Sequence, residues 1–233
     1  MSFNFGWRGP DVVKDGLLIY LDASSPNSYF NTTSTTWKDI SGNQNNGTLI
    51  NSPTYNSDNG GSILFDGIND YVTISGSTSF PNKGSLIFWI YPNVIENYRN
   101  ALTLWTLNGL NNGIRFEENS LGQFVTAIGS GDFSATGHYY FTSGFTSNQW
   151  YMISLTWDVT NNRVSGTLNG QQKFTNESNT TWPATIPQIN LGIGYDTARN
   201  WSGRISNFML YNKELSFNEV TQNYNSLKGK YGL

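Results

Sequence analysis

The chain has 233 residues, of which 37% are hydrophobic, 15% aromatic and only 12% charged, and its formal net charge is −3 at pH 7. This length suits one large β domain around a single core. Its 13 lysines and arginines form no basic run, and no apolar run reaches the length of a membrane span, so we expect neither a nucleic-acid partner nor membrane insertion. The chain has no cysteine, which excludes disulfides and thiolate metal sites.

The first ten residues, MSFNFGWRGP, lack the charged start and apolar stretch of a secretory signal. Phe3, Phe5 and Trp7 alternate, as in an extended arm that lies on a partner; a disordered end is the alternative. We assign residues 1–15 to an N-terminal arm that serves assembly, and residues 16–233 to one domain.

Strand signals then recur at short intervals. Gly16–Asp22 is the first, and Gly84–Pro92 is apolar on both faces, which places it in the middle of a sheet covered on both sides. Trp150–Asp158 alternates with period two, and Asn169-Gly170 predicts a two-residue hairpin turn of type I′. With 24 glycines, these signals predict an all-β fold, either a sandwich or a jelly roll.

One helix is predicted, at the C-terminal end. Ser216 is its N-cap and Glu219 follows three residues later, which is the pattern of a capping box. Leu215 and Val220 have the spacing of a hydrophobic staple, and Gly229 is placed to terminate the helix. We expect this short helix to dock onto the sandwich.

The order of motifs from Gly16 onward resembles the laminin-G-like branch of the concanavalin A-like lectin/glucanase superfamily. The stretches that carry the resemblance are WKDISG at 37–42, FDGINDYV at 65–72 and GRISNFMLY at 203–211. The resemblance implies a two-sheet antiparallel jelly-roll sandwich, to which the residue pattern adds a short C-terminal helix.

The C-terminal stretch NYNSLKGKYGL is also similar to domains carried by virion proteins of tailed phages. This likeness implies a non-enzymatic virion structural protein, a capsid decoration or a tail or fibre component, on the surface of the particle. Its expected partners are other virion proteins or copies of itself, together with host-surface glycans. A stand-alone carbohydrate-binding module or adhesin is the alternative.

A glycoside hydrolase is the third hypothesis, and the glutamates argue against it. Such enzymes need two carboxyl groups at a defined separation, and the hydrolases of this superfamily place theirs in a Glu-x-Asp-x-Glu pattern on one strand. No glutamate of this chain is followed two residues later by aspartate. Glu117 and Glu118 are adjacent, so on a strand they point to opposite faces. We therefore predict no catalytic residues.

Four aspartates near strand ends have two interpretations. The first is turn formation, because aspartate side chains bond to nearby backbone N–H groups. The second comes from the resemblance, since laminin-G-like relatives often hold one calcium ion at the sandwich rim, and calcium takes six to eight oxygen ligands. No cofactor is required by any motif, so calcium is the one metal left open. Its candidate ligands are Asp22, Asp39, Asp66 and Asp70.

Aromatic residues outside the strongest strand signals are candidates for a sugar site, because such sites combine rings with a few well-placed polar groups. Most aromatic residues of a sandwich lie in its core, which is the alternative for each of them. The candidate ligand-binding residues are Tyr98, Trp105, Tyr139, Tyr140, Trp182, Tyr195 and Trp201.

Overall fold

The computed structural model describes residues 9–29, 33–77, 80–96, 98–104, 113–119, 121–129, 137–141, 145–179, 181–194, 196 and 198–233. Phe3, Phe5 and Trp7 lie outside these residues. Within them, no helix combines the length and the apolar character needed to cross a membrane.

The described strands and helix follow one another along the chain with short connections. The strands are β1 Leu17–Asp22, β2 Thr36–Trp37, β3 Gly47–Ile50, β4 Thr54–Asn56, β5 Ser62–Asp66, β6 Tyr71–Ser77, β7 Lys83–Pro92, β8 Asn100–Leu104, β9 Gly113–Glu118, β10 Phe124–Gly129, β11 Gly137–Phe141, β12 Tyr151–Asp158, β13 Arg163–Leu168, β14 Gln171–Glu177, β15 Ile186–Leu191 and β16 Ser202–Tyr211. The helix α1 spans Phe217–Leu227, and short 3₁₀ turns span Asp58–Gly60 and Lys228–Tyr231.

These strands form two antiparallel sheets. Sheet 1 has the order β14-β13-β12-β7-β16-β5-β4, and β1 pairs with the C-terminal half of β16. Sheet 2 has the order β11-β10-β9-β8-β15-β6-β3-β2. The predicted all-β, two-sheet antiparallel jelly-roll sandwich with a short C-terminal helix is therefore confirmed.

Strand β7 is buried on both of its faces. On the inner face, the ring of Phe88 meets that of Phe116 from sheet 2 edge-on, with the ring centroids 4.9 Å apart. On the outer face, Trp89 stacks on Tyr231 at 4.1 Å and on Tyr224 at 5.8 Å, both from the C-terminal helical segment. The prediction that Gly84–Pro92 lies in the middle of a sheet covered on both sides is confirmed.

The C-terminal helix has the predicted N-terminus. The Ser216 hydroxyl accepts a hydrogen bond from the Glu219 N–H, and the Glu219 carboxylate accepts one from the Ser216 N–H, which closes the capping box. The predicted end at Gly229 is wrong, because the chain continues through it as a 3₁₀ turn and the left-handed residue is Gly232, with φ 74°. The extra turn carries Tyr231 onto Trp89.

The hairpin between β13 and β14 also forms as predicted. Asn169 and Gly170 both have positive φ, 49° and 71°, as a type I′ turn requires. The Asn169 side chain accepts a hydrogen bond from the Met152 N–H at 2.8 Å, which ties the turn to β12.

The described part of the predicted N-terminal arm lies on the helix side of the sandwich. Val13 is buried, its N–H donates to Asn223 Oδ1 at 2.8 Å, and its carbonyl accepts from the Tyr211 hydroxyl at 3.1 Å. The Gln222 side chain also donates to the Asp11 carbonyl at 2.8 Å. The division at Gly16 stays a prediction.

Replacing Ser216 by alanine is expected to lower the free energy of unfolding by about 0.5–2 kcal/mol, because the first turn of α1 loses its cap. Ser216→Asp keeps a capping oxygen and is the matched control. Thermal or denaturant unfolding measures both. Equal stability of the alanine variant and the wild type would show that the cap does not stabilise the docked helix.

Candidate functional site

Sheet 2 carries a polar row on its outer face. Val72, Leu102 and Phe116 belong to the core between the sheets, and side chains alternate along a strand, so their neighbours Thr73, Thr103 and Arg115 point away from the core. Cross-strand pairing aligns these outward residues. In order across the sheet, the row is Thr36, Thr48, Thr73, Asn190, Thr103, Arg115, Ala127 and His138.

At one end of this row lies a groove of about 410 Å³, which we call the sheet 2 groove. Its described lining residues are Asn46, Thr48, Thr73, Ser75, Pro187 and Gln188. The Gln188 side-chain amide donates to Thr73 Oγ1 at 2.5 Å, which orients both groups. These six residues offer hydroxyl groups, amide groups and one apolar ring, with no charged side chain among them.

The centre of the row is buried. Thr103, Arg115 and Asn190 are at most 7% exposed, and the Thr103 hydroxyl donates to the Ile193 carbonyl at 3.1 Å. Accessible polar groups of the described row therefore lie toward its two ends. One end is the sheet 2 groove, and the other is β11, where His138 and Tyr140 are exposed.

A charged cluster lies beside the buried centre. Glu117 is 5% exposed and bridges two arginines, with one carboxylate oxygen 2.9 Å from Arg115 and the other 2.8 Å from Arg199. Arg199 also pairs with Asp196 at 2.9 Å and lies 4.4 Å over the ring of Tyr98. Removing one partner from such a buried group is costly, so the cluster fixes Tyr98 at the surface.

Glu118 points to the other face of β9, as predicted from its position next to Glu117. It is fully buried, and its carboxylate accepts a hydrogen bond from the Glu96 N–H at 2.8 Å. Burial raises the pKa of Glu118 to about 8, against the lowering effect of that N–H and of Arg99, while the Glu96 charge adds to the rise. Glu118 is therefore protonated at neutral pH.

The predicted aromatic ligands divide into surface and core residues. Tyr98 and Tyr140 are exposed, by 52% and 46%. Trp182 is half-buried, and its indole N–H donates to Asn162 Oδ1 at 2.9 Å. Trp105 and Tyr195 lie outside the described residues.

Tyr139 and Trp201 are corrections to this set. Tyr139 is 7% exposed, stacks on Phe174 at 5.3 Å and donates its hydroxyl hydrogen to the Ser178 carbonyl. Trp201 is fully buried and packs against Phe124. Both rings belong to the core, because they point inward from their strands or loops, so a ligand on the surface does not reach them.

Asp39 and Asp22 are engaged by donors of the chain itself. Asp39 accepts hydrogen bonds from the backbone N–H groups of Tyr20, Ser41 and Asn45 at 2.8–2.9 Å. The Asp22 carboxylate accepts from the Tyr20 and Ser24 hydroxyl groups and lies 3.3 Å from the Lys230 ammonium. These contacts fasten the loops after β1 and β2.

Asp66 and Asp70 close the turn between β5 and β6. Burial opposes ionisation of Asp66, but N–H donors led by Ile68 and Asn69 outweigh it and hold its pKa below the ordinary value. Asp70 accepts from the Asp66 N–H at 3.2 Å, and burial raises its pKa. Over the described ranges, no group of three or more His, Asp or Glu side chains is arranged to hold a metal ion. Calcium at the four aspartates stays a prediction.

Sequence reasoning missed the sheet 2 groove and the charged cluster. Thr48, Thr73 and Gln188 come from three separate strands, so only the strand register brings them together. The cluster left a local signal, because the stretch GIRFEE alternates apolar Ile114 and Phe116 with polar Arg115 and Glu117.

A family model described as the concanavalin A-like lectin/glucanases superfamily matches residues 66–221, which is more than half of the chain. No curated protein sequence matches the chain. The solved structures it resembles include domain 4 of a GH43 extracellular arabinanase from Geobacillus stearothermophilus, in complex with arabinotriose. That domain is 16% identical with a TM-score of 0.67, and the match covers 89% of this chain and 98% of that one.

Two toxin domains are similar over about half of their own length. The binding domain of Paraclostridial Mosquitocidal Protein 1 is 19% identical with a TM-score of 0.69, and the match covers 91% of this chain and 52% of that one. The binding domain of Botulinum Neurotoxin DC, in complex with SialylT, is 16% identical with a TM-score of 0.70, with 92% and 52% covered. At these identities the likeness shows the fold, a lectin-like sandwich.

The buried Glu118 predicts a pH-dependent stability. Between its ordinary pKa of 4.5 and its raised pKa of about 8, the native state keeps a proton that the unfolded state releases, so stability falls as pH rises through this window. Glu118→Gln removes the titrating group, and its melting temperature is expected to fall less over the same window. The exposed Glu177→Gln is the matched control. Parallel melting curves for Glu118→Gln and the wild type would contradict this account.

Proposed function

This chain belongs to the concanavalin A-like lectin/glucanase superfamily, and from that premise we propose that it is a non-catalytic glycan-binding domain that uses the sheet 2 groove. The observation that carries the proposal is the groove itself. It has a size suited to a small ligand, about 410 Å³, and it is lined by hydroxyl and amide groups beside Pro187.

The lining favours a neutral glycan. Hydroxyl and amide groups both donate and accept hydrogen bonds, as a sugar hydroxyl also does. The described lining offers no cation to compensate a sialic acid carboxylate, and a carboxylate desolvated without a partner is unfavourable. A structural neighbour in complex with arabinotriose supports a glycan ligand on this fold.

The proposed activity is binding without hydrolysis. The six described groove residues include no carboxylate and no histidine, so they supply no acid–base pair for glycosidic cleavage. Glu117 is held between Arg115 and Arg199, and Glu118 is buried and faces the other way. Neighbours described as binding domains agree with this proposal.

We further propose that the domain acts on a phage particle, as a capsid decoration or a tail or fibre component with other virion proteins or copies of itself as partners. The support is the resemblance of the C-terminal stretch and the alternation of Phe3, Phe5 and Trp7 in the arm. The alternative is a stand-alone carbohydrate-binding module or adhesin. Mass spectrometry of purified particles separates the two.

Gln188→Ala is expected to weaken glycan binding by about tenfold, because it removes a groove amide and leaves Thr73 without its donor. Gln171→Ala, an exposed glutamine at the start of β14 in sheet 1, is the matched control and is expected to bind normally. A glycan array of neutral and sialylated oligosaccharides identifies the ligand, and titration calorimetry then measures both variants. Binding that resists Gln188→Ala, or a wild type that binds no glycan, would refute the proposal.

Deleting residues 1–10 is expected to leave a soluble, cooperatively melting domain that no longer assembles or attaches to particles. The truncation keeps Asp11 and Val13, whose contacts with the helix side are part of the folded domain. Calorimetry measures folding, and light scattering and particle co-sedimentation measure assembly. A truncated protein that unfolds, or that still assembles, would show that the arm is not an assembly element.

A further inference from the structure

A second groove lies on the opposite side of the sandwich, between β12, β13, β14 and the start of α1. Its volume is about 480 Å³, and we call it the helix groove. It lies on the outer face of sheet 1, where the side chains of β12 change from apolar Met152 to Ser154 and Thr156. Helix α1 covers the apolar part of this face, as the packing of Met152 with Val220 and Leu227 shows. The polar part is left to the groove.

The floor of the helix groove consists of hydroxyl groups whose positions are set by hydrogen bonds. Thr167 is 4% exposed, and its hydroxyl lies 2.7 Å from that of Ser154 on the neighbouring strand. The Ser165 hydroxyl accepts from the Asn176 N–H at 3.0 Å. Such a floor is pre-organised, because its side chains need no reordering when a polar ligand arrives.

The cations of the lining are already paired, which excludes an anion site. Arg163 binds both carboxylate oxygens of Glu214, at 2.9 and 2.7 Å. Lys213 lies 2.6 Å from Glu219 and 2.7 Å from Asp15. The capping box engages Ser216 and Glu219 at the helix N-terminus. A neutral ligand is therefore the one that fits the charge of this groove.

Phe217 supplies an apolar ring at the edge of the groove. It is the first residue of α1 and is 49% exposed, although a large aromatic side chain gains free energy when it is buried. A ring beside hydroxyl groups is the combination that recognises a sugar, whose ring has an apolar face and a polar edge.

We propose that the helix groove is a second saccharide site, for a neutral sugar that stacks on Phe217 and bonds to the hydroxyl floor. The inference shares its ligand class with the proposed function and rests on a separate set of residues. One copy of the domain then holds two sugars on opposite faces, so it bridges two glycan chains and gains avidity on a glycan-coated surface.

The test is an amide-resolved NMR titration with a panel of neutral oligosaccharides that includes arabinotriose. A panel member is expected to shift amides of β13, β14 and the first turn of α1. Phe217→Ala and the conservative Phe217→Leu are expected to weaken that binding by about tenfold, and Gln188→Ala is expected to leave it unchanged. Melting curves establish that each variant is folded.

The outcomes separate the two sites. Shifts confined to the sheet 2 groove would overturn the helix groove and leave the proposed function standing. Shifts confined to the helix groove would support this inference and refute the sheet 2 groove. Shifts near α1 that persist in both Phe217 variants would overturn the stacking role, and a panel that shifts neither region would overturn both sites.

Discussion

The burial of β7 on both faces is the constraint on which the rest of the structure depends. Its inward residue Phe88 meets sheet 2, and its outward residue Trp89 meets Tyr231. Sheet 1 therefore needs a second apolar layer besides sheet 2, and the C-terminal helix provides it. Sheet 2 has no comparable apolar row on its outer face, since Thr48, Thr73 and their cross-strand partners are polar. The asymmetry between the two faces gives the domain an anchored side and a binding side.

The fold was predictable because its signals are local. The two-sided apolar run of β7, the Asn169-Gly170 turn and the Ser216–Glu219 cap each lie within a few residues, and each formed as expected. The end of the helix was not local, because Tyr231 extends it by packing on a strand far away in the chain.

The candidate site was less predictable because it depends on register. Tyr139 and Tyr140 are adjacent, yet one is in the core and the other is exposed, and composition treats them alike. Trp201 follows a loop and still packs inward against Phe124. The groove residues Thr73 and Gln188 are far apart in sequence and meet only through the pairing of β6 with β15. A pattern of aromatic residues therefore identified the class of the protein better than its binding residues.

The described ends of the chain leave the sandwich on one side. Asp11 is bonded to Gln222 of α1, and Leu233 donates its N–H to Lys228 just after that helix. A tether at either end would pull on the helix side of the sandwich, and the pulling force would not cross the sheet 2 groove. Under tension, the contacts that must yield first are those of Val13 and α1 with sheet 1. The domain is thus built so that mechanical load and ligand contact fall on different layers.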